Sequence, residues 1–187
     1  MTPFRARQVT IVGLGLMGGS MALALRGCVE TLVGVDPNPL TRAYAVEHDI
    51  VDSATDDLRA GVADADAVIL AAPVRTIINV IQNRIGSYLR SNTLLIDIGS
   101  TKADICNVMG ALPIGVQAVG GHPMTGKEVS GVEASDATLY HNRPFVLCPT
   151  RRTTPATRLR ALAFLSLIHI SEPTRLRRIS YAVFCLK

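Results

Sequence analysis

Short apolar runs alternate with helical stretches from residue 8 to about residue 148, and this order constrains the fold more than any other feature. The runs lack alternating polar positions, which is typical of parallel strands covered by helices on both faces. The alternation therefore predicts an α/β fold with a doubly wound, mainly parallel sheet. The predicted strands are residues 8–12, 31–35, 67–72, 93–98, 116–119 and 144–147. The predicted helices are residues 18–26, 39–48, 74–89 and 102–109, and another begins at Thr154.

A glycine-rich turn, GLGLMG, follows the first predicted strand directly and opens a helix. Its first glycine permits a tight turn, the second lets the backbone approach a pyrophosphate, and the third allows close packing of helix on strand. The helix N-terminus offers N–H groups and a partial positive charge to phosphates. In this context the turn predicts a Rossmann-type dinucleotide-binding domain. The predicted cofactor-binding residues of the turn are Gly13, Leu14, Gly15, Leu16, Met17 and Gly18.

An acidic residue, Asp36, ends the second predicted strand, 21 residues after Gly15. A carboxylate there can accept hydrogen bonds from the adenosine ribose hydroxyls and would repel a 2′-phosphate. No basic residue follows until Arg42, so the sequence favours NAD, with NADP less favoured. The alternative is that Asp36 is only a loop or cap residue before Pro37.

Two polar segments follow later strands: DIGSTK at residues 97–102 and GGHPMTGKE at residues 120–128. The carboxyl ends of strands in an open parallel sheet face the ligand crevice, so both segments should meet cofactor and substrate. Together with GLGLMGGS, AAPV and RPFVLCPT, they make residues 9–150 resemble the prephenate dehydrogenase family and its arogenate-using relatives. Many hydroxyacid dehydrogenases share the glycine turn, but few carry GSTK followed by GGHPM.

The resemblance implies NAD-dependent oxidative decarboxylation of prephenate to 4-hydroxyphenylpyruvate, a step of tyrosine biosynthesis. It assigns His122 as the catalytic histidine that assists deprotonation of the substrate hydroxyl, and Ser100 as the serine that orients substrate and nicotinamide. Glu128 matches an acid near the substrate entrance. The segment Ala72–Pro73 should pass beside the nicotinamide ribose. Lys127 stands where relatives often have a small polar residue.

Each assignment has a structural alternative. His122 could be a buried histidine bonded to backbone, and Ser100 could cap the next helix. Glu128 could be a solvated carboxylate, and Pro73 could simply begin a helix. At the level of the protein, the alternatives are another Rossmann dehydrogenase, of the arogenate or 3-hydroxyacid type, and a dinucleotide-binding module without catalysis.

The remaining composition favours a cytoplasmic enzyme acting on a small molecule. The four cysteines, Cys28, Cys106, Cys148 and Cys185, lack metal-ligand spacing, so no metal is expected. No apolar run is long enough to cross a membrane. Four basic residues and one acid lie in residues 165–187, and the remainder has a net charge of only +1. We therefore expect no nucleic-acid or membrane partner.

The last residues differ from the rest of the chain. Residues 165–187 have no helical or strand period and can be encoded largely by common sequencing-adapter DNA, although a genuine basic C-terminal segment is the alternative. We expect a dinucleotide-binding domain at residues 1–150, the start of a connecting helix at 151–164 and a non-native tail at 165–187. The resemblance implies a missing helical domain that forms a homodimer and completes the substrate site, so this chain should bind cofactor but be inactive.

Overall fold

The computed structural model describes residues 4–168 and 182–184. These residues form one sheet of eight strands in the order β3-β2-β1-β4-β5-β6-β7-β8. The strands are β1 (Gln8–Val12), β2 (Thr31–Val35), β3 (Ser53–Thr55), β4 (Ala67–Leu70), β5 (Leu94–Asp97), β6 (Gln117–Pro123), β7 (Phe145–Cys148) and β8 (Ala182–Phe184). Strands β1 to β6 are parallel, β7 is antiparallel to β6, and β8 is parallel to β7.

Helices cover both faces of the sheet. They are α1 (Leu16–Leu25), α2 (Pro39–Glu47), α3 (Leu58–Val62), α4 (Val74–Val80), α5 (Gly86–Tyr88), α6 (Ala103–Met109) and α7 (Pro155–Ile168). A π-helical stretch, Ile81–Ile85, connects α4 with α5, and Val132–Ala134 is a 3₁₀ turn. Within the described residues, no helix is long and apolar enough to cross a bilayer.

Alternate residues of the central strands belong to two separate hydrophobic cores. In β4, Ala67 and Ile69 pack with α1, α2 and α7, whereas Val68 and Leu70 pack with α3, α4 and α6. This two-sided burial confirms the predicted doubly wound sheet and explains why its strands lack polar positions. The order in which the chain adds strands reverses at β1: β2 and β3 lie on one side of it, and β4 and the later strands lie on the other. The carboxyl ends of β1 and β4 therefore border the crevice where such folds bind ligands.

The structure extends or adds elements that the sequence pattern did not predict. Strand β6 was predicted to end at Val119 but continues to Pro123, because residues 120–123 pair with β7. His122 was expected on a loop and instead lies in this strand opposite Val146. Strand β3, helix α3 and the 3₁₀ turn were also not predicted, because they are only three to five residues long.

Helix α7 continues past residue 165, where the non-native tail was expected to begin. Leu165 and Ile168 are only 3% and 5% exposed and belong to the hydrophobic core. They follow Ala161 at spacings of four and seven residues, so they prolong the buried face of the helix. Residues 182–184 also pair with β7, whereas the rest of the proposed tail lies outside the described residues.

We predict that Leu165→Ala lowers the free energy of unfolding by about 2–5 kcal/mol, the usual cost of truncating a buried leucine. Leu159 lies on the same helix but is 57% exposed, so Leu159→Ala is a matched control that should change stability by less than about 0.5 kcal/mol. Urea unfolding of both variants measures the difference. Equal effects would show that the end of α7 does not pack as described.

Candidate functional site

The glycine turn connects β1 to α1 and is held by close backbone contacts. Gly13 has a φ of 95°, and its N–H donates to the carbonyl oxygen of Val35 at 2.8 Å. A Cβ on Gly13 would lie 2.7 Å from the carbonyl oxygen of Ala71, and one on Gly18 would overlap the carbonyl oxygen of Gly13. Both glycines are therefore needed by the fold of the turn, whether or not a ligand is bound.

Gly15 is different, because its Cβ position is open, with no atom within 4 Å. It is the N-cap residue of α1 and has no side-chain cap, so the first-turn N–H groups, including those of Leu16 and Met17, face away from any carbonyl of the same helix. An open backbone at a helix N-terminus fits a pyrophosphate, which needs close approach and N–H donors. The turn can thus hold the phosphates of a dinucleotide.

Asp36 follows β2 beside this turn and is half-buried. Its carboxylate accepts hydrogen bonds from the N–H of Leu14 at 2.8 Å and from the N–H of Asn38 at 2.9 Å. These bonds fix the carboxylate but leave lone pairs for ribose hydroxyls, so the structural and ligand-binding roles are compatible. The guanidinium of Arg42 donates to the carbonyl oxygen of Asp36 at 2.7 Å and pairs with Asp56 at 3.1 Å.

The Ala72–Pro73 segment lies against the glycine turn. The backbone N of Ala72 would be 3.1 Å from a Cβ on Gly13, and the N–H of Ala71 donates to the carbonyl oxygen of Val12. Pro73 occupies the N-cap position of α4, so it also begins a helix, as the alternative interpretation held. The end of β4 thus forms a second wall beside the turn.

His122 is half-buried in β6, and its ring is fixed by a neighbouring strand end. Its Nδ1 lies 3.1 Å from the carbonyl oxygen of Gly99. A carbonyl oxygen can only accept, so Nδ1 carries the proton in the neutral ring and Nε2 keeps its lone pair. This arrangement can accept a proton from a hydroxyl group placed at Nε2.

Ser100 follows Gly99 directly and is exposed. The N-cap of α6 is Lys102 and makes no side-chain cap bond, so Ser100 does not cap this helix. The alternative that explained Ser100 as a helix cap is therefore wrong. Its hydroxyl stands one residue from the carbonyl that holds His122 and is open to a ligand.

A buried ion pair that was not predicted from the sequence is bonded to Gly121, the residue before His122. Asp97 is fully buried and pairs with Lys102, and its carboxylate also accepts from the N–H groups of Gly99 and Gly121. Burial raises the pKa of Asp97, while Lys102 and the two N–H donors oppose that rise. A sequence signal existed: an acid ends an apolar strand, and a lysine follows five residues later.

The loop after His122 carries Glu128, which is exposed. Its neighbour Lys127 donates to Asp136 at 2.7 Å, and this contact, with donors of Thr138, holds the pKa of Asp136 well below its ordinary range. The N–H of Asp136 donates to Ser20 Oγ on α1 at 2.9 Å, so the loop is anchored on the cofactor-side helix. In residues 4–168 and 182–184, no group of three or more acidic, cysteine or histidine side chains could hold a metal.

A family model described as "Prephenate dehydrogenase, nucleotide-binding domain" matches residues 21–168. The chain belongs to this family. The match begins within α1, so the glycine turn is a separate observation that agrees with it. The match also includes residues 165–168, in agreement with their place in helix α7.

Several prephenate dehydrogenase relatives are similar to the chain along most of its length. Prephenate dehydrogenase of Bacillus subtilis (strain 168) is 33% identical over 148 residues, which cover 78% of this chain and 40% of the relative. The structure of prephenate dehydrogenase from A. aeolicus in complex with hydroxyphenyl propionate and NAD+ is 32% identical, with a TM-score of 0.75 and coverage of 89% and 59%. Synechocystis arogenate dehydrogenase is 28% identical, with a TM-score of 0.81 and coverage of 95% and 59%. The chain thus spans about 40–59% of these relatives.

The open space at Gly15 and the contact at Gly18 give opposite predictions for alanine substitution. Gly18→Ala should destabilise the fold by at least about 2 kcal/mol, since its Cβ meets a backbone oxygen that cannot move aside. Gly15→Ala should keep stability within about 1 kcal/mol, because its φ of −69° suits alanine.

The same Gly15→Ala variant should bind NAD at least about tenfold more weakly, because its methyl group would fill the open space through which a pyrophosphate could approach the backbone. Thermal unfolding and calorimetric titration with NAD separate the two effects. If Gly15→Ala bound NAD normally, the cofactor would not approach the backbone at this position.

Proposed function

We propose that the chain binds NAD at the glycine turn and serves the oxidative decarboxylation of prephenate to 4-hydroxyphenylpyruvate. The observation that carries this proposal is the orientation of His122, whose Nδ1 is bonded to Gly99 so that Nε2 has a free lone pair. His122 lies just past the segment of β6 that pairs with β5. It is therefore at the same edge of the sheet at which β1 ends and the glycine turn begins. Membership of the prephenate dehydrogenase family supports the choice of reaction.

In this reaction His122 acts on the substrate hydroxyl group. Its Nε2 accepts the hydroxyl proton as the carbon–oxygen bond becomes a carbonyl, and its Nδ1–H bond to Gly99 steadies the ring while it carries charge. Bound NAD supplies the acceptor for the hydrogen and electron pair that leave the ring carbon. Loss of CO₂ from the ring then leaves an aromatic phenolate, which takes back the proton held on His122 to give the phenol.

Two further residues act on the position of the substrate. The exposed hydroxyl of Ser100, directly beside Gly99, hydrogen-bonds the substrate or the nicotinamide and aligns them with His122. Glu128 is exposed on the loop that follows His122 and contributes at the substrate entrance. Ala72 and Pro73 line the nicotinamide side of the crevice next to Gly13.

NAD is the proposed cofactor because of Asp36. Its carboxylate is held in place by the N–H groups of Leu14 and Asn38, where it would meet the adenosine ribose hydroxyls. A 2′-phosphate would meet this negative charge, and the nearest following cation, Arg42, is already bonded to Asp56 and two carbonyl groups. The NAD+ in the A. aeolicus relative supports the same choice.

Arogenate is the second candidate substrate. It is favoured by the similarity to Synechocystis arogenate dehydrogenase, which has the higher TM-score of the two solved structures described above. The two substrates share the ring, its carboxylate and its hydroxyl group, so His122 and Ser100 would act alike on both. They differ in the side chain, which bears a keto group in prephenate and an amino group in arogenate. Comparing turnover of both substrates distinguishes the candidates.

We predict that the chain binds NAD more tightly than NADP, as measured by titration calorimetry with each cofactor. Asp36→Ser combined with Asn38→Arg should shift the preference toward NADP by removing a negative charge and adding a cation. Asn38 caps α2 by accepting from the N–H of Leu40, so Asn38→Arg alone is the control for loss of the cap. Equal affinity of the unaltered chain for both cofactors would contradict the assignment of Asp36.

We predict negligible prephenate oxidation by the 187-residue chain alone. Prephenate carries two carboxylates, and the described lysines nearest His122 in sequence, Lys102 and Lys127, are both paired with carboxylates of the chain. Neither lysine is therefore free to hold a substrate carboxylate, and misplacement of the substrate by about 1 Å can cost roughly a hundredfold in rate. NADH formation from prephenate measures this activity, and normal turnover by the chain alone would refute it.

We predict that His122→Asn lowers kcat by roughly 10² to 10⁴, the usual contribution of a positioned acid–base group, without weakening NAD binding. The activity is measured in a chimera that joins residues 1–168 to the remaining part of the Bacillus subtilis relative. His141→Asn is the control, because this histidine is exposed and lies in the loop before β7. Full activity of the His122 variant would exclude it as the proton acceptor.

A further inference from the structure

The ends of β5 and β6 are connected by one buried ion pair, which we call the β5–β6 clamp, formed by Asp97 and Lys102. The Asp97 carboxylate accepts from Gly99 N–H at 2.9 Å and from Gly121 N–H at 3.3 Å. Lys102 pairs with Asp97 and also donates to the carbonyl oxygen of Gly121 at 2.6 Å. Both polar groups of the Gly121 backbone are therefore bound to the clamp.

The clamp holds both backbone segments that determine the position of the His122 ring. Gly121 immediately precedes His122, so fixing its N–H and its carbonyl fixes the start of the His122 backbone. Gly99 is held through its N–H, and its own carbonyl oxygen accepts the Nδ1–H of His122. The two backbone segments that position the ring are Gly99, which follows β5, and Gly121 in β6. Both donate an N–H to the Asp97 carboxylate.

Fold stability alone does not account for this pair. A carboxylate that is fully buried loses its hydration, and apolar residues of similar volume often stabilise a protein as well as a buried ion pair does. Strands β5 and β6 are also joined by their backbone ladder from Leu94 to Ile96, so the sheet does not need the clamp to form. What the clamp adds is a link from β5 to the part of β6 beyond their last ladder pair, where His122 lies and β6 pairs with β7.

We propose that Lys102, acting through Asp97, is a positioning residue that keeps the His122 ring in one tautomer with Nε2 open to the substrate. This inference rests on the proposed function only in one respect, that Nε2 is the atom that accepts the proton of the substrate hydroxyl. The side chain of Lys102 is 17% exposed and is bonded to Asp97 and to the carbonyl oxygen of Gly121, so it acts on the His122 ring through these two residues. A direct contact of Lys102 with a substrate carboxylate is the competing role.

The test removes the clamp without leaving an unpaired buried charge. Asp97→Asn combined with Lys102→Met replaces the pair by neutral groups. Lys102→Met alone would leave the buried Asp97 carboxylate without its ion-pair partner, and Asp97→Asn alone would leave the Lys102 ammonium without one. Lys127→Met is the matched control, since it removes another lysine from an ion pair in the same region of the chain but outside the clamp. Lys102→Arg keeps the charge and tests whether the ammonium geometry is required.

The readout is nitrogen NMR of the histidine rings in the 187-residue chain with saturating NAD. The signals of His122 are assigned by their loss in His122→Asn. The unaltered chain and Lys127→Met should show a protonated Nδ1 and an unprotonated Nε2. The double variant should lose this single tautomer, with both nitrogens shifting toward the averaged values of an exchanging ring, and the single variant Lys102→Arg should retain it in part.

Two measurements separate the possible results. If the double variant is folded by thermal unfolding, binds NAD like the unaltered chain and still shows one His122 tautomer, the positioning role is overturned. If it fails to fold, Lys102→Arg decides, because an unchanged tautomer population with altered Gly121 amide shifts would equally overturn the proposal. The tautomer readout needs no turnover, so a failure of the proposed prephenate activity would be seen separately in the NADH assay.

Discussion

The burial of the parallel strands on both faces is the constraint on which the arrangement of the site depends. Every residue of β4 and β5 is buried, so a polar side chain within these strands would lose its hydration without a partner. Reactive groups can then lie only where strands end. The one charged residue among these eight, Asp97, is the last of β5, where Lys102 and two N–H donors can reach it. The position of the chemistry thus follows from the packing of the core.

Close packing also fixes the position of the glycine turn relative to the end of β2. The side chain of Leu14 is fully buried and contacts β2 where Gly34 has no Cβ, since a Cβ there would lie 2.6 Å from Leu14. The turn is therefore seated on β2, and the Leu14 N–H reaches Asp36 at the end of that strand. Asp36 and the glycine turn are fixed relative to each other before any ligand is present, which would lower the entropic cost of binding a dinucleotide there.

The sequence predicted the parts of the molecule in which local pattern and tertiary environment agree. The apolar runs predicted β1 and β2 with their observed bounds. The predicted end of the first helix, residue 26, is the C-cap of α1, and Gly27 follows it with a φ of 76°. Strand β3 was missed because Ser53–Thr55 is a short edge strand with no apolar run. The continuation of β6 was missed because glycine, histidine and proline resemble a loop, and only pairing with β7, more than twenty residues away, makes them a strand.

The candidate site divides in the same way. Residue types in known motifs were enough to predict Gly13, Asp36 and His122 as site residues, because such motifs can be recognised without knowing their neighbours. The tautomer of His122 could not be predicted, since it depends on a contact with Gly99 from another strand. The clamp was missed for the same reason: DIGSTK contains both Asp97 and Lys102, but their burial and their bonds to Gly121 arise only when β5 and β6 come together.

The loop between β6 and β7 connects the two halves of the site. The Tyr140 hydroxyl, whose pKa is raised by burial, donates to the carbonyl oxygen of Met17 at 2.7 Å, and the N–H of Asp136 donates to Ser20. A Cβ on Gly19 would overlap the hydroxyl of Ser135 and lie 3.1 Å from the Ser135 Cβ, so glycine at this position favours the close approach of the loop to α1. The segment that begins at His122 therefore rests on the helix whose N-terminus faces the proposed phosphate position. A shift of α1 would move this loop as well, so the glycine turn and the segment that follows His122 are connected through one packed surface.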